Sequence, residues 1–381
     1  MKALSVSCLL ILSLHPFSPG PRAAPGPESL ARPGPYPVGV RTLVLVDSKR
    51  DDAYAQGPRT LVTEIWYPAV DEARGGKPTS FLEFFGAHPD AAEAFVKHFG
   101  GKMEEVNQRF KSVGVRDAKL RPGKFPLLVF SHGNGGLRHQ NVFQCDHLAS
   151  HGYIVASPDH TGNAGVTVLP EKIVPYDRKG RPQSNIDRPK DVSFVIDSLL
   201  GLSAKEESWL GAAIDADSIG VLGHSFGGLT CCESAAVDKR VKAILPMTLA
   251  LTKPSTVPIL LMLGGMDRTV DEAGNVASRA LYMSCTGPKH LLTLKRGGHF
   301  SFSDMDRVNP AFGDGIGKEV KDGKTTEFLP MDLTKEIINV YSLAFFDAYL
   351  RKDPAAREIL LKNSYPDEVE LRTGDGNPTR L

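Results

Sequence analysis

The sequence predicts an α/β fold: a mostly parallel central sheet with helices on both faces, carrying loop and helix insertions. Three observations lead there. From residue 125 onward, short uninterrupted apolar runs alternate with helical stretches, the pattern of parallel strands covered on both sides. Upstream, two strand-like runs separated by a turn-rich segment fit an antiparallel pair. Finally, VLGHSFGGLTCC (221–232) places a serine fenced by glycines where an apolar run passes into a helix-compatible stretch.

The elements follow in order. Met1 and Lys2 precede the apolar run ALSVSCLLILSL (3–14), which is too short to span a bilayer at ~20 residues. Residues 1–24 therefore read as a secretory signal peptide, with Ala23 and Ala24 as cleavage candidates, and 25–37 as a Pro-rich leader. RTLVLV (41–46) and TLVTEIWYP (60–68) form the antiparallel pair, and 81–111 reads as two or three short helices around glycine breaks. The regular rhythm then runs PLLVFS (126–131), a helix near 139–150, YIVASPD (153–159), a helix near 189–200, SIGVLG (218–223) and a helix from Phe226. It continues with VKAILPM (241–247), VPILLMLGG (257–265), a helix near 272–285 and HLLTLK (290–295). An amphipathic helix over 333–350 and a polar tail over 353–381 end the chain.

No repeat or composition break divides 36–350, so one catalytic domain over 38–352 is expected, with insertions at 78–111, 161–188 and 309–330. Loops at the carboxyl ends of parallel strands are where such sheets bind ligands, so the second and third insertions are expected to border the site.

Composition narrows the function. Lys and Arg number 45 against 44 Asp and Glu, and the basic residues are scattered, so nothing calls for a nucleic-acid partner. No 18-residue apolar run occurs after the leader, which argues against stable membrane insertion. Cys145, Cys231, Cys232 and Cys285 follow neither a metal-ligand nor a disulfide pattern; they read as buried thiols, although export to an oxidising compartment would permit one bridge, with Cys231 and Cys232 packing behind the serine. No cofactor or metal is called for.

Gly223-His224-Ser225-Phe226-Gly227 fits G-x-S-x-G, in which a serine sits on a strained strand-to-helix turn. A serine hydroxyl is inert at neutral pH without a base and a partner for the oxyanion it creates. Of the late histidines, His290 opens an apolar strand, whereas His299 lies on a loop behind Gly297 and Gly298, just past a strand. His299 is therefore the candidate general base. The orienting acid belongs on a loop between the two, and Asp267 follows the strand VPILLMLGG; Asp271 and Glu272 fall at a helix start, where carboxylates cap. For the oxyanion, the N–H of Phe226 is one donor. The glycine-rich turn in VFSHGNGGLRH (129–139) offers Asn134 as the other, with Gly133 and Gly135 as neighbours that could substitute. His132 and His224 read as hydrogen-bonding supports, and Phe226, Phe300 and Phe302 suggest an apolar entrance.

Segments 121–163, NIDRPKDVSFVIDSLL (185–200), GHSFGG and GGHFSFSD resemble the platelet-activating-factor acetylhydrolase and dienelactone-hydrolase-like branch of the α/β-hydrolases, and also bacterial cutinase-type polyester hydrolases. The similarity covers about 36–350. The resemblance implies the α/β-hydrolase fold, with Ser225 as nucleophile, His299 as base, and Phe226 and Asn134 as oxyanion donors. The chain order Ser225, Asp267, His299 is that of the superfamily. One departure concerns the acid: the acetylhydrolases carry it just after the strand following the nucleophile, where this chain reads LPMT (245–248) with no carboxylate. Serine in place of cysteine also departs from dienelactone hydrolase chemistry. The expected activity is hydrolysis of small-molecule or polymeric carboxylic esters; an amidase or peptidase with the same triad, or a binding protein that has lost catalysis, are the alternatives.

Overall fold

The computed structural model describes residues 26–54, 56–86, 88–249, 253–321 and 323–374. The expected signal peptide over 1–24 lies outside them.

A short helix α1 (Pro27–Ala31) precedes β1 (Val38–Asp52) and β2 (Gly57–Pro68), which pair antiparallel from Val38 opposite Pro68. The first insertion carries α2 (Pro89–His98) and α3 (Met103–Arg109), followed by the two-residue strand β3 (Val115–Arg116). Next come β4 (Phe125–Ser131), α4 (Val142–Ser150), β5 (Ile154–Pro158), a hairpin of β6 (Val166–Val168) and β7 (Ile173–Pro175), and the long α5 (Arg181–Ser203). The chain continues through β8 (Ile214–His224), α6 (Phe226–Val237), β9 (Val241–Met247), β10 (Ile259–Gly264), α7 (Asp271–Ser284) and β11 (Lys289–Leu294). The final segments are α8 (Met305–Val308), a hairpin of β12 (Lys318–Lys321) and β13 (Lys324–Glu327), α9 (Met331–Tyr349), α10 (Pro354–Leu361) and β14 (Val369–Gly374).

Ten strands form one sheet in the order β14-β11-β10-β9-β8-β4-β5-β2-β1-β3. The six from β11 to β5 run parallel, and antiparallel pairs extend the sheet at both flanks. Strand alternation explains why the central runs are apolar throughout. Leu128, Phe130, Leu222, Leu245 and Met262 point to the face covered by α4 and α9, where Ile337, Ile338, Tyr341 and Phe345 pack. Leu127, Val129, Val221, Ile244 and Leu261 point to the other face, against Val192, Val195 and Ile196 of α5 and Cys231 and Cys232 of α6. Cys145, Cys231, Cys232 and Cys285 are buried, and no disulfide joins them. Among the described residues no helix is long and apolar enough to cross a membrane.

Three expectations are revised. The polar tail is structured through residue 374: α10 buries Ile359 and Leu360, and β14 pairs antiparallel with β11 from Lys289 opposite Gly374 to Leu294 opposite Val369, which covers an otherwise open sheet edge. The leader also contributes, since Leu30 of α1 is buried against the core that contains α9. The helix expected near 189–200 begins at Arg181 and carries Pro189 inside it. A proline marks a probable helix start in sequence, and the polar turn ahead of it gives no apolar signal because most of it is exposed and its buried residues are Ser184 and Arg188.

Candidate active site

Each residue singled out in the sequence lies at the carboxyl end of a parallel strand. Ser225 follows β8, the turn with Asn134 follows β4, Asp267 follows β10 and His299 follows β11. Ser225 holds φ 55° and ψ −117°, a conformation that costs energy for a side-chain-bearing residue and persists only when its surroundings impose it. Those surroundings are backbone. A Cβ on Gly227 would lie 1.8 Å from the carbonyl oxygen of Ser131, and one on Gly223 would lie 2.5 Å from that of Gly227. The glycines therefore allow β4, β8 and α6 to meet at the serine.

Ser225 Oγ lies 2.9 Å from Nε2 of His299, and Nδ1 of His299 lies 2.9 Å from Oδ2 of Asp267. The other carboxylate oxygen of Asp267 accepts the N–H of Val270 at 2.9 Å. Asp267 and His299 are both buried, so their contact is little screened by water. A hydroxyl, an imidazole and a carboxylate in this sequence can pass the hydroxyl proton to the ring and hold the ring in one tautomer.

The β4 turn sorts its own N–H groups. Gly133 N–H donates to Gln140 Oε1 at 2.9 Å, Gly135 N–H to the carbonyl of Asn163 at 3.0 Å, and Gly136 N–H to that of Gly133 at 3.0 Å. Among the described residues no acceptor meets the N–H of Asn134 or of Phe226. The former lies on an exposed turn; the latter is the first helical N–H of α6.

Polar groups hold these elements, and of them the sequence singled out only His132 and His224. Gln140 donates from Nε2 to His224 Nδ1 at 2.9 Å, and His224 donates from Nε2 to the carbonyl of His299 at 2.9 Å. One chain of hydrogen bonds thus joins the β4 turn, the residue beside the serine and the histidine loop. Burial, with a smaller push from His299, takes His224 down to about 3, so it is neutral near pH 7. Beneath the turn, the fully buried Arg188 donates to Asn163 Oδ1 at 2.9 Å, to Ser131 Oγ at 2.8 Å and to the carbonyl of His132. Its guanidinium also stacks 4.6 Å above the Phe226 ring, so one cation touches both sides of the turn-helix junction. Asp191 accepts from Arg59 at 2.7 and 3.0 Å and from His160 Nδ1 at 2.9 Å, while His160 Nε2 accepts from Ser131 at 2.9 Å. Burial opposes the ionisation of Asp191, but the Arg59 charge overrides it and holds the carboxyl well below its ordinary range. His132, read in sequence as a support, donates from Nδ1 to the carbonyl of Gly133 and accepts the N–H of His160.

A cavity of about 420 Å³ opens on Ser225 and His299. Its apolar wall is Phe81, Phe95, Phe99 and Phe110 from the first insertion, with Phe300 and Val308 facing them. The insertions were expected to border the site at 161–188 and 309–330; the first insertion supplies four of the five lining phenylalanines instead, Arg181 is the lining residue from the second, and none of the lining residues comes from the third. Of the aromatic entrance, only Phe300 lines the cavity. Phe302 is core, and Phe226 lies buried under Arg188.

This fold and this arrangement at the strand ends are those of an α/β-hydrolase. A family model described as platelet-activating factor acetylhydrolase, isoform II, matches residues 29–175, and one described as PET hydrolase-like matches residues 131–314. The chain is 26% identical to a platelet-activating factor acetylhydrolase of Gallus gallus, over 91% of this chain and 90% of that protein. It is 23% identical to one of Cavia porcellus, over 84% and 77%. A solved structure of a ferulic acid esterase from Streptomyces cinnamoneus superimposes with a TM-score of 0.71 at 26% identity, covering 90% of this chain and 98% of that one. These matches support the platelet-activating-factor acetylhydrolase and cutinase-like branch of the α/β-hydrolases as the group that the chain resembles, and it is a carboxylic ester hydrolase.

Proposed function

We propose that the chain hydrolyses carboxylic esters through an acyl-enzyme on Ser225. The observation that carries this reading is the unbroken set of contacts from Ser225 Oγ through His299 to Asp267, at 2.9 Å each, opening on the cavity. His299 Nε2 takes the hydroxyl proton as Oγ bonds to the acyl carbon, and the N–H groups of Asn134 and Phe226 receive the oxyanion. The C–O bond to the alcohol breaks, and the alcohol leaves with the proton from Nε2. Water then gives a proton to Nε2 and adds to the acyl carbon, and the acid departs as Oγ regains its proton. Asp267 keeps the ring in the tautomer that presents a lone pair to the serine.

The substrates that fit are short-acyl, lipid-like or polyester esters, with an apolar group in the phenylalanine-walled cavity. The printed activities of the relatives, acetylhydrolase and ferulic acid esterase, lie within that range. The signal peptide expected at 1–24 suits export to a secreted or periplasmic location, and the catalytic unit is the sheet with its helices and insertions. Ser225→Ala is expected to lower kcat by up to ~10⁶ and to abolish labelling by a fluorophosphonate. Wild-type turnover in that variant removes the assignment. Aryl esters of graded chain length, run beside a short-acyl phospholipid and a polyester film, identify the substrate class.

A further inference from the structure

Asp314 sits in the third insertion, and the mechanism above gives it no role. It lies between Gly313 and Gly315 in a run of three residues with positive φ, 89°, 39° and 118°. Aspartate is one of the few side-chain-bearing residues that tolerates this region, so the turn is built to hold it. The turn is pressed against the histidine loop. A Cβ on Gly298 would lie 2.4 Å from the nitrogen of Gly315, and one on Gly315 would lie 2.6 Å from that of Ser301.

From this position one residue grips both loops of the site. Its Oδ1 accepts the backbone N–H of His299 at 3.2 Å and that of Arg268 at 3.1 Å. Its Oδ2 accepts the Thr269 hydroxyl at 2.6 Å. Its carbonyl accepts the N–H of Phe300 at 2.8 Å. Residues 268 and 269 directly follow Asp267. The contacts therefore close a ring from Asp267 along its own loop to Asp314, across to His299, and back through the imidazole to Asp267. A loop without such a tie could shift the imidazole with no loss of core packing, and a displacement of about 1 Å at a reacting group costs on the order of 10² in rate.

We propose that Asp314 is a positioning residue, a second carboxylate that fixes the His299 loop against the Asp267 loop. It also places negative charge beside the backbone of the catalytic histidine. This rests on the assignment of Ser225, Asp267 and His299 made above.

The test is Asp314→Asn in the full chain. Asparagine tolerates positive φ as aspartate does, and the change removes the charge and one acceptor while keeping the shape. The expected result is a fall in kcat of about 10- to 100-fold with KM within about threefold. Thr269→Val removes only the hydroxyl donor to Oδ2 and is expected to lower kcat in the same direction by less, which keeps the test open if Asp314→Asn folds poorly. Unchanged kcat in folded Asp314→Asn, or a change confined to KM, overturns the proposal, as does an unchanged kcat in Thr269→Val if the first variant does not fold. Ser225→Ala separates the two levels: inactivity there beside a normal Asp314→Asn refutes the clamp alone, whereas turnover there refutes the triad assignment beneath it.

Discussion

Asp267→Asn tests the acid of the site, which is supplied one strand later than in the acetylhydrolases that the chain resembles and in the chain order of the wider superfamily. In the structure the two carboxylate oxygens have separate tasks: Oδ1 accepts the N–H of Val270 and Oδ2 accepts Nδ1–H of His299, each at 2.9 Å. An amide has one acceptor and must choose. If its oxygen keeps Val270, its NH₂ faces Nδ1, the ring proton moves to Nε2, and His299 points a donor at Ser225 where a base is needed. If the oxygen faces His299, the NH₂ meets the Val270 N–H, a half-buried donor against a donor that costs about 1 kcal/mol. The competent tautomer is thus disfavoured, and even when populated it lacks the negative charge that stabilises the imidazolium. The expected loss in kcat is about 10⁴, or ~5 kcal/mol in the barrier, with little change in KM. Steady-state hydrolysis of a p-nitrophenyl ester near neutral pH measures it. Activity within tenfold of wild type would show that Asp267 does not orient the base.

Gln140→Leu cuts the chain that joins the β4 turn to the His299 loop, leaving the Gly133 N–H and His224 Nδ1 without their partners. It is expected to lower stability by about 1–3 kcal/mol and kcat by about tenfold, read by thermal melting and the same ester assay; an unchanged kcat would show that His224 needs no anchor. Acid should also destabilise the fold. Burial lowers His147, His160 and His224 to about 3 and His290 to about 4, and it lowers His132 and His139 well below the ordinary 6.5. Their stabilising contribution is complete above pH ~6.5 and is lost as pH falls toward the folded values, because the unfolded chain takes up protons first, at up to about 1.4 kcal/mol per pH unit for each group. Burial raises Asp146 to about 7, and also raises Asp159 and Asp306; these three work the other way against six. Tm at pH 5 should therefore lie below Tm at pH 7, with net proton uptake on unfolding, and a flat or rising Tm would contradict the burial of these rings.

The sequence by itself determined the sheet and the order of the candidate triad. Apolar runs of strand length, glycines at the serine, and polar loops just past a strand are local signals, each readable within a dozen residues. Asp267 and His299 were legible because each falls just beyond an apolar run with glycine beside it, a place where a buried strand gives way to a surface loop. Only the tertiary structure decided what surrounds them. Arg59 and Asp191 meet across 132 residues, and in sequence each resembles a solvated charge on an amphipathic element. The phenylalanines of the first insertion read as the core of small helices, yet they line the cavity above Ser225 because the insertion folds over the carboxyl ends of β4 and β11. The tail read as polar because β14 is half exposed, and its place became visible only once β11 presented an unpaired edge. Asp314 shows the same division: its glycines announce a turn, but the two loops that it ties lie 15 and 46 residues away, at a distance in sequence that no local pattern records. Secondary structure and strand-end chemistry are written in short windows. Charge pairing, cavity walls and loop ties depend on which windows the packed sheet brings together.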